Sequence, residues 1–385
     1  MRLAGCRSAL PKLNLTNYCS VMKEQRFQRL RGLSLVEMMI SLAIGAVLTI
    51  GVVSLFTANS ETYNALQGQT RLQENAGFAL ETLSRDLQKA GYRGCFSSGS
   101  SPYFTMTSAS GIPYESDLRT GIELFDANGD GTWTPSTASL NAAVTGAAFF
   151  DTDLLTVRYL DDDEAYLNVA LATSIEDITV SITDEGLETL TVGDIVAIHD
   201  CEKATLFRVT GRADAGGVTT LQHAVGASLE DNGTLALAET GTFSTNAAVS
   251  GIITRTYFIG PGAGTNNEGN APLSLWRREN DNNAVELVEG VENFQLQLAI
   301  DTDGDSVPNQ YVDPSSTVNF SQVMAVVITI TTNSVDAIGG TTAPTWGCAA
   351  NDGELRTAQD CFSGTAIDGL LRRSFTRTIQ IRNQT

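Results

Sequence analysis

The stretch from Leu33 to Phe56, LSLVEMMISLAIGAVLTIGVVSLF, constrains this chain more than any other. It holds 24 residues and a single charge. A helix rises about 1.5 Å per residue, so the run extends about 36 Å, enough to cross a bilayer core of ~30 Å. Seven basic residues precede it (Arg2, Arg7, Lys12, Lys23, Arg26, Arg29 and Arg31) against one acid, Glu24. A basic cluster before the span and an acidic chain after it orient the N-terminus inward and the body outward. A secretory signal peptide would place a small-residue cleavage site after the apolar run, whereas this run continues into an amphipathic helical pattern.

That division changes the meaning of the net charge. The 385 residues carry 24 Lys+Arg and 44 Asp+Glu, a balance of −20. Without residues 1–32 the chain keeps 17 basic and 43 acidic residues, or −26. A body of that sign repels phosphate backbones, which argues against nucleic acid as a partner. Apolar residues at 42% suffice for a sizeable core. His199 and His223 are the only histidines, too few for a His-based hydrolase or a His-rich zinc enzyme. Gly260-Pro261-Gly262-Ala263-Gly264 lacks the Lys-Ser/Thr of a phosphate cradle and reads as a turn. No G-x-S-x-G elbow or H-E-x-x-H motif occurs, so the reading is not an enzyme.

Glu37 is the anomaly inside the apolar run. An unpaired carboxylate at membrane depth costs roughly 3 kcal/mol or more, so it needs a partner. Its context is Arg31-Gly32-Leu33-Ser34-Leu35-Val36-Glu37: a basic leader, a glycine, then an apolar run with Glu at its fifth position. This resembles the class III signal of type IV prepilins. The resemblance implies cleavage by prepilin peptidase between Gly32 and Leu33, and methylation of the new N-terminus at Leu33. Most members carry Phe at that first position, and Leu33 departs from it conservatively. For Glu37 the resemblance implies a role in subunit assembly, its carboxylate pairing with the Leu33 amino group of a neighbouring subunit. A leader starting at Met22, MKEQRFQRLRG, has the length more familiar in this family, so Met22 is the expected start.

After Phe56, Leu66, Leu72, Phe78, Leu80, Leu83 and Leu87 recur among Gln, Glu, Arg and Asp, the pattern of an amphipathic helix over 57–90. Gly91 and Gly94 supply its stop. Beyond Cys95 the pattern changes to period two. Leu155-Val157-Tyr159, Ile178-Val180-Ile182, Phe294-Leu296-Leu298-Ile300, Val326-Ile328-Ile330 and Phe375-Arg377-Ile379-Ile381 read as antiparallel strands with one buried face. Segments 100–150 and 210–250 read as small-residue loops or weak strands. Asp161-Asp162-Asp163-Glu164 reads as a solvated loop after a strand.

The expected class is α+β, a type IV pilin-like fold whose long N-terminal membrane-spanning helix packs on an antiparallel sheet. The expected parts are a leader (1–32), the helix (33–94, its first part 33–56 transmembrane) and a β-rich globular domain (95–385). Gln73-Glu74-Asn75-Ala76-Gly77-Phe78-Ala79-Leu80 through Gly91-Tyr92 resembles the helix end of large minor pilins. Val288-Glu289-Gly290-Val291-Glu292-Asn293, the following strand and Asp loop, Val326 to Thr331 and Arg373 to Thr378 resemble the PilW family.

Downstream of the cleavage point the cysteines are Cys95, Cys201, Cys348 and Cys361. Four allow three pairings, and an exported body permits them. Cys348–Cys361 would close a short loop, and Cys95–Cys201 would tie the helix end to the sheet. A zinc site is the rival, with His199 beside Cys201, although no C-x2-C spacing supports it.

Two acidic loops offer oxygen ligands to Ca²⁺. In the first, Asp301, Asp303 and Asp305 stand at alternate positions, with Asn309 and Asp313 beyond. In the second, Asp126, Asn128 and Asp130 do so, but Thr137 stands where a closing Glu belongs. The competing reading for both is an Asp/Gly hairpin turn.

The resemblance implies a minor pilin that takes part in pilus assembly or initiation and in pilus-dependent motility or adhesion. Its partners would be other minor and major pilins, prepilin peptidase and the inner-membrane assembly platform. It would sit in the inner membrane as a single-pass protein, then in a pilus at the cell surface. The alternatives are a minor pseudopilin of a type II secretion system and a calcium-dependent tip adhesin.

Overall fold

The computed structural model describes residues 34–96, 102–105, 114–181, 190–226, 231–238, 241–280, 282–315, 322–338 and 369–383. Two compact units divide the chain, Met1–Ala58 and Asn59–Thr385. One continuous 55-residue helix, α1 (Leu35–Lys89), contributes to both.

In the first unit every described residue is exposed, and an apolar window of α1 has a mean hydropathy of 2.4. Polar side chains there bond back to the helix. Ser41 Oγ donates to Glu37 O (2.7 Å) and Thr49 Oγ1 to Gly45 O (2.8 Å). Such internal pairing removes the cost of a hydroxyl in hydrocarbon.

In the second unit α1 becomes one-sided. Leu72, Ala76, Ala79, Leu80, Leu83 and Leu87 are buried, while Gln73, Glu74, Glu81 and Arg85 are exposed. Steps of three and four residues place the apolar set on one face, and each fully buried Leu contributes about 1.5–3 kcal/mol. The helix stops where expected. Gly91 and Gly94 have φ of 75° and 67°, and Gly91 N donates to Arg158 O (2.8 Å). A Cβ on Gly121 would lie 2.5 Å from Gly91 Cα, so the strand can pass the helix end only as glycine.

Among the described residues the largest sheet has nine strands. Its order runs β1 (Tyr103–Phe104), β7 (Ala204–Arg208), β6 (Ile195–His199), β10 (Ala248–Pro261), β4 (Leu154–Tyr166), β2 (Ile122–Ala127), β3 (Trp133–Thr134). Off this path β10 pairs β11 (Leu273–Glu279), which pairs β12 (Val285–Glu289). A second sheet runs β14 (Gln310–Val312), β13 (Val291–Ile300), β15 (Val323–Asn333), β16 (Arg372–Gln380). A third runs β5 (Ile178–Ser181), β9 (Val218–Gln222), β8 (Gly211–Ala215).

The alternating strands are legible as such. In β13, Phe294, Leu296 and Leu298 are buried and Asn293, Gln295 and Gln297 half-buried. These residues join Leu83, Leu87, Tyr257, Val326 and Ile328 in the main core. A second core lies between β4 and β10 in sequence and gathers Ile178, Val180, Phe207, Leu221, Phe243 and Val249.

Three expectations need correction. The nine-stranded sheet is mixed, because β1 pairs β7 in parallel, whereas the strands of the other two sheets pair antiparallel. The strand β4 buries both faces over Leu154–Leu160, since residues 114–123 and the Phe125–Phe258 cluster cover its second side. Arg158 survives there because its guanidinium donates to Tyr114 O, Thr120 O and Glu123 Oε2 (2.9, 3.1 and 2.7 Å). Asp161–Glu164 belongs to β4 and is not a loop, with Asp162 paired to Lys89 (2.7 Å). Segments 100–150 and 210–250, read as loops or weak strands, contribute the short strands β1, β2, β3, β8 and β9.

Residues 151–153 link the two main sheets. Gln295 Nε2 donates to Asp151 O (3.1 Å) and Asp153 N to Phe294 O (2.9 Å). The Asp153 carboxylate accepts from Leu296 N of β13 (2.7 Å) and from Ala127 N of β2 (2.9 Å).

Candidate functional site

The first candidate is the start of α1. Ser34 precedes the helix, and Glu37 N donates to Ser34 Oγ (3.4 Å) while Met38 N donates to Ser34 O (3.0 Å). Ser34 is therefore the N-cap and Glu37 the third helical residue, the Ser-x-x-Glu spacing of a capping box. A carboxylate in the first turn also meets the positive end of the helix dipole. The sequence reading treated Glu37 as a lone charge and missed this local use, although the spacing was in view. Gly32 and Leu33, the expected processing and methylation positions, lie outside the described residues.

The second candidate is the region where α1 ends. Cys95 and Cys201 form a disulfide that closes a separation of 106 residues. This is one of the two favoured pairings, and it removes Cys201 from any zinc set. Cys348 and Cys361 lie outside the described residues. Among the described residues His199 joins no cluster of three candidate ligands. Its ring is buried, Nε2 is 2.9 Å from Ser250 Oγ, and Glu164 Oε1 stands 4.0 Å away. Burial pushes its pKa down, against the Glu164 and Asp200 charges that raise it, so the ring is held neutral. Gly94 permits this packing, because a Cβ there would lie 2.7 Å from His199 Cε1.

The third candidate is the first acidic loop. Carboxylate oxygens of Asp301, Asp303 and Asp305 lie within 4.8 Å of one another. The loop organises itself through backbone amides. Asp301 accepts from Gly304 N (2.7 Å), Ser306 N (2.8 Å) and Asp303 N (3.2 Å), and Asp305 accepts from Val307 N (2.8 Å). These donors, Gly304 N–H first, push the Asp301 pKa down. Asn309 Oδ1 closes the loop by accepting from Thr302 N (3.2 Å). Asp313 does not join the trio. Its Oδ1 accepts from Gln297 Nε2 (3.2 Å), and its charge faces Asp126 and Asp153.

The second acidic loop is the hairpin turn between β2 and β3, with Asn128 N donating to Thr132 O (3.0 Å) and Asp130 accepting from Thr132 N (3.0 Å). Among the described residues, Asp126, Asn128 and Asp130 make no shared ligand set. Their side chains serve the turn or point to the seam.

Sequence reasoning also missed the polar anchors of α1 on the body. Asn75 Nδ2 donates to Glu289 O (2.9 Å), Arg71 pairs Asp336 (3.2 Å) and Arg377 reaches back to Glu81 (3.1 Å). Asp86, buried among Tyr159, Arg255 and Tyr257, carries the tightest set. A charged residue spaced three beyond Leu83 on the buried stripe was the available signal.

Comparison with known proteins finds two regions of similarity. Residues 28–53 match the model described as the Prokaryotic N-terminal methylation motif, the stretch holding Gly32, Leu33, Ser34 and Glu37. The narrower match follows: residues 256–383, from within β10 through β16, match the family model Type IV Pilus-assembly protein W. The chain thus carries an N-methylation signal and a PilW region, and the two support a pilin role. The second core between β4 and β10 lies outside both matches. A type IV-like pilin from Thermus thermophilus aligns over 82% of this chain and 99% of its own, at 13% identity and a TM-score of 0.31, too distant to bear on the fold. No curated protein matches the chain.

Proposed function

We propose that this chain is a minor pilin which enters a type IV pilus after processing by prepilin peptidase. The leader is removed between Gly32 and Leu33, and Leu33 is methylated. The 33–56 segment holds the subunit in the inner membrane, N-terminus inward, until it joins the filament, where the β-rich body faces outward. Glu37 then pairs with the amino group of a neighbouring subunit's Leu33 and guides packing. The role is structural, in initiating assembly with other pilins on the membrane platform and in pilus-dependent motility or adhesion.

The observation that carries this reading is the pairing, on one chain, of the N-methylation motif at 28–53 with the PilW region at 256–383. The test is Gly32→Ala, read by immunoblot beside Glu37→Ala. Gly32→Ala leaves full-length precursor, while Glu37→Ala is cleaved but missing from sheared pili. Normal processing of Gly32→Ala removes the proposal.

A second reading, in which the body binds Ca²⁺ at the pilus surface, rests on the convergence of Asp301, Asp303 and Asp305. Three carboxylates on a bent loop form the kind of oxygen set that a hard cation takes.

A further inference from the structure

We infer that the outer edge of β16 is a docking site for an extended strand of another protein, one that carries a carboxylate near each of its ends. Among the described residues β16 pairs β15, and no strand lies on its other side. Its length sets it apart. β16 has nine residues, whereas the other strands that end a sheet, β1, β3, β5, β8, β12 and β14, have five or fewer. Short edge strands and bulges are two ways in which a fold avoids pairing with other chains. β16 uses neither. Arg372 to Gln380 pair Asn333 to Ala325 at nine successive positions, while the β13–β15 ladder shifts register twice.

The hydrogen bonds that frame this ladder identify the backbone groups left over. Ser334 N donates to Leu371 O (2.9 Å) before β16, and Ile381 N donates to Met324 O (3.1 Å) after it. Both pairs lie in the register of the ladder, so Leu371, Ile381 and every second residue between them turn N–H and C=O towards β15. In an antiparallel pair the intervening residues point the other way. Ser374, Thr376, Thr378 and Gln380 therefore present their N–H and C=O groups along the open edge. Thr376, Thr378 and Gln380 are exposed and Ser374 is half-buried. An added strand bonds to these groups as the next rung of the sheet, its main chain supplying the affinity. It also extends rows of hydroxyls already in place, Thr331 with Ser374 (2.8 Å) and Thr329 with Thr376 (3.0 Å).

Charge selects the occupant. Residues 372–385 hold four arginines and no acid, in a chain whose balance is −20. Arg372 and Arg377 are engaged within the fold by Glu292 (2.6 Å) and Glu81 (3.1 Å). Arg373 and Arg382 are exposed and pair with no carboxylate among the described residues, although the Arg373 guanidinium lies 5.2 Å from the Phe375 ring centroid. These two bracket the open positions, and at 3.3 Å per residue they stand about 30 Å apart along the strand. A strand with a carboxylate at each end gains an ion pair at both. Two copies of β16 laid edge to edge would instead set arginine against arginine, which disfavours self-pairing.

The test is amide hydrogen exchange on the full chain in detergent micelles, with two capped peptides as probes. One is Glu-Thr-Val-Thr-Val-Thr-Val-Thr-Val-Glu, and the other carries Lys at both ends. The acidic peptide should slow exchange at Ser374, Thr376, Thr378 and Gln380 and leave Phe375, Arg377 and Ile379, already held by β15, unchanged. Two exposed ion pairs gained in one peptide and two repulsions met by the other should separate their affinities about tenfold. Thr376→Pro removes an outward N–H without touching the β15 ladder, so it should abolish the effect at an unchanged unfolding midpoint. Arg373→Glu with Arg382→Glu should reverse the preference, and it decides the matter should Thr376→Pro fail to fold. The peptides read the edge itself, so the outcome does not depend on processing at Gly32. The proposal is overturned if neither peptide slows the four amides, if both do so equally, or if those amides are as protected in the free chain as their neighbours. A concentration-dependent dimer lost in Thr376→Pro would overturn it too, by assigning the edge to a second copy.

Discussion

Arg255 Nη1 donates to Asp86 Oδ1 across 2.7 Å and so joins β10 to the buried face of α1. The other Asp86 oxygen accepts from the Tyr257 hydroxyl, and Arg255 also pairs Glu279 (2.7 Å). Burial, then the Asp86 charge, pushes the Tyr257 pKa well up, which keeps its hydroxyl a donor. Removing one partner of a buried pair leaves the other charge desolvated. Asp86→Ala is expected to lower stability by roughly 3–5 kcal/mol in a denaturant titration of the full chain in micelles. A loss under 1 kcal/mol would mean that apolar packing alone seats the helix.

The Cys95–Cys201 disulfide closes a separation of 106 residues. Chain entropy gives such a cross-link up to about 4.7 kcal/mol for a loop of ~100 residues, with 2–5 kcal/mol the usual measured loss. Cys95→Ser, Cys201→Ser and the double variant should therefore fall in urea midpoint by the same amount. Unequal losses would show that one thiol acts outside the pair.

Stability should also depend on His199. Its folded pKa is lowered by burial below the unfolded value of about 6.5. As pH falls through 6.5 the unfolded chain takes a proton that the fold refuses, so stability is lost on acidification. Subtracting a His199→Gln urea series from the wild-type series at pH 5 to 7.5 isolates this group. The expected difference slopes upward with pH, and a level difference contradicts the neutral buried ring.

Calcium offers a fourth check. At a hundred times its dissociation constant, a ligand that binds only the fold adds about 2.7 kcal/mol. Calcium should raise the melting temperature of the wild type and leave Asp303→Asn with Asp305→Asn unmoved. Equal melting curves with calcium and with chelator would assign the loop's order to its backbone amides alone.

Legibility in the sequence followed the strength of local pattern. The apolar run was readable because it is apolar all round with a single charge, the helix stop because Gly91 and Gly94 take positive φ, and β13 because its Phe-x-Leu-x-Leu face meets a core while the other does not. By contrast, β4 buries both faces, so its period carried the strand but not its second layer, and Arg158 gave no hint of three carbonyl and carboxylate partners. Of the second core only Ile178 and Val180 were legible, because Phe207, Leu221 and Phe243 come from segments without sustained alternation. At the candidate sites, Cys95 with Cys201 and the trio from Asp301 to Asp305 could be paired on chemistry. Asp153 could not, since its partners are backbone amides that no side-chain motif records.

The disulfide beside the end of α1 has a mechanical consequence. In a subunit drawn along its own helix, load that the contacts of Arg71, Asn75, Glu81 and Asp86 do not carry passes on beyond Lys89. The covalent path from Cys95 leads straight to Cys201, at the turn entering β7, bypassing 106 positions of sequence. Tension therefore enters the nine-stranded sheet at the β6–β7 turn, where β7 lies between β6 and the two-residue strand β1. Without the bond, the same load would have to follow the chain from Cys95 towards β1.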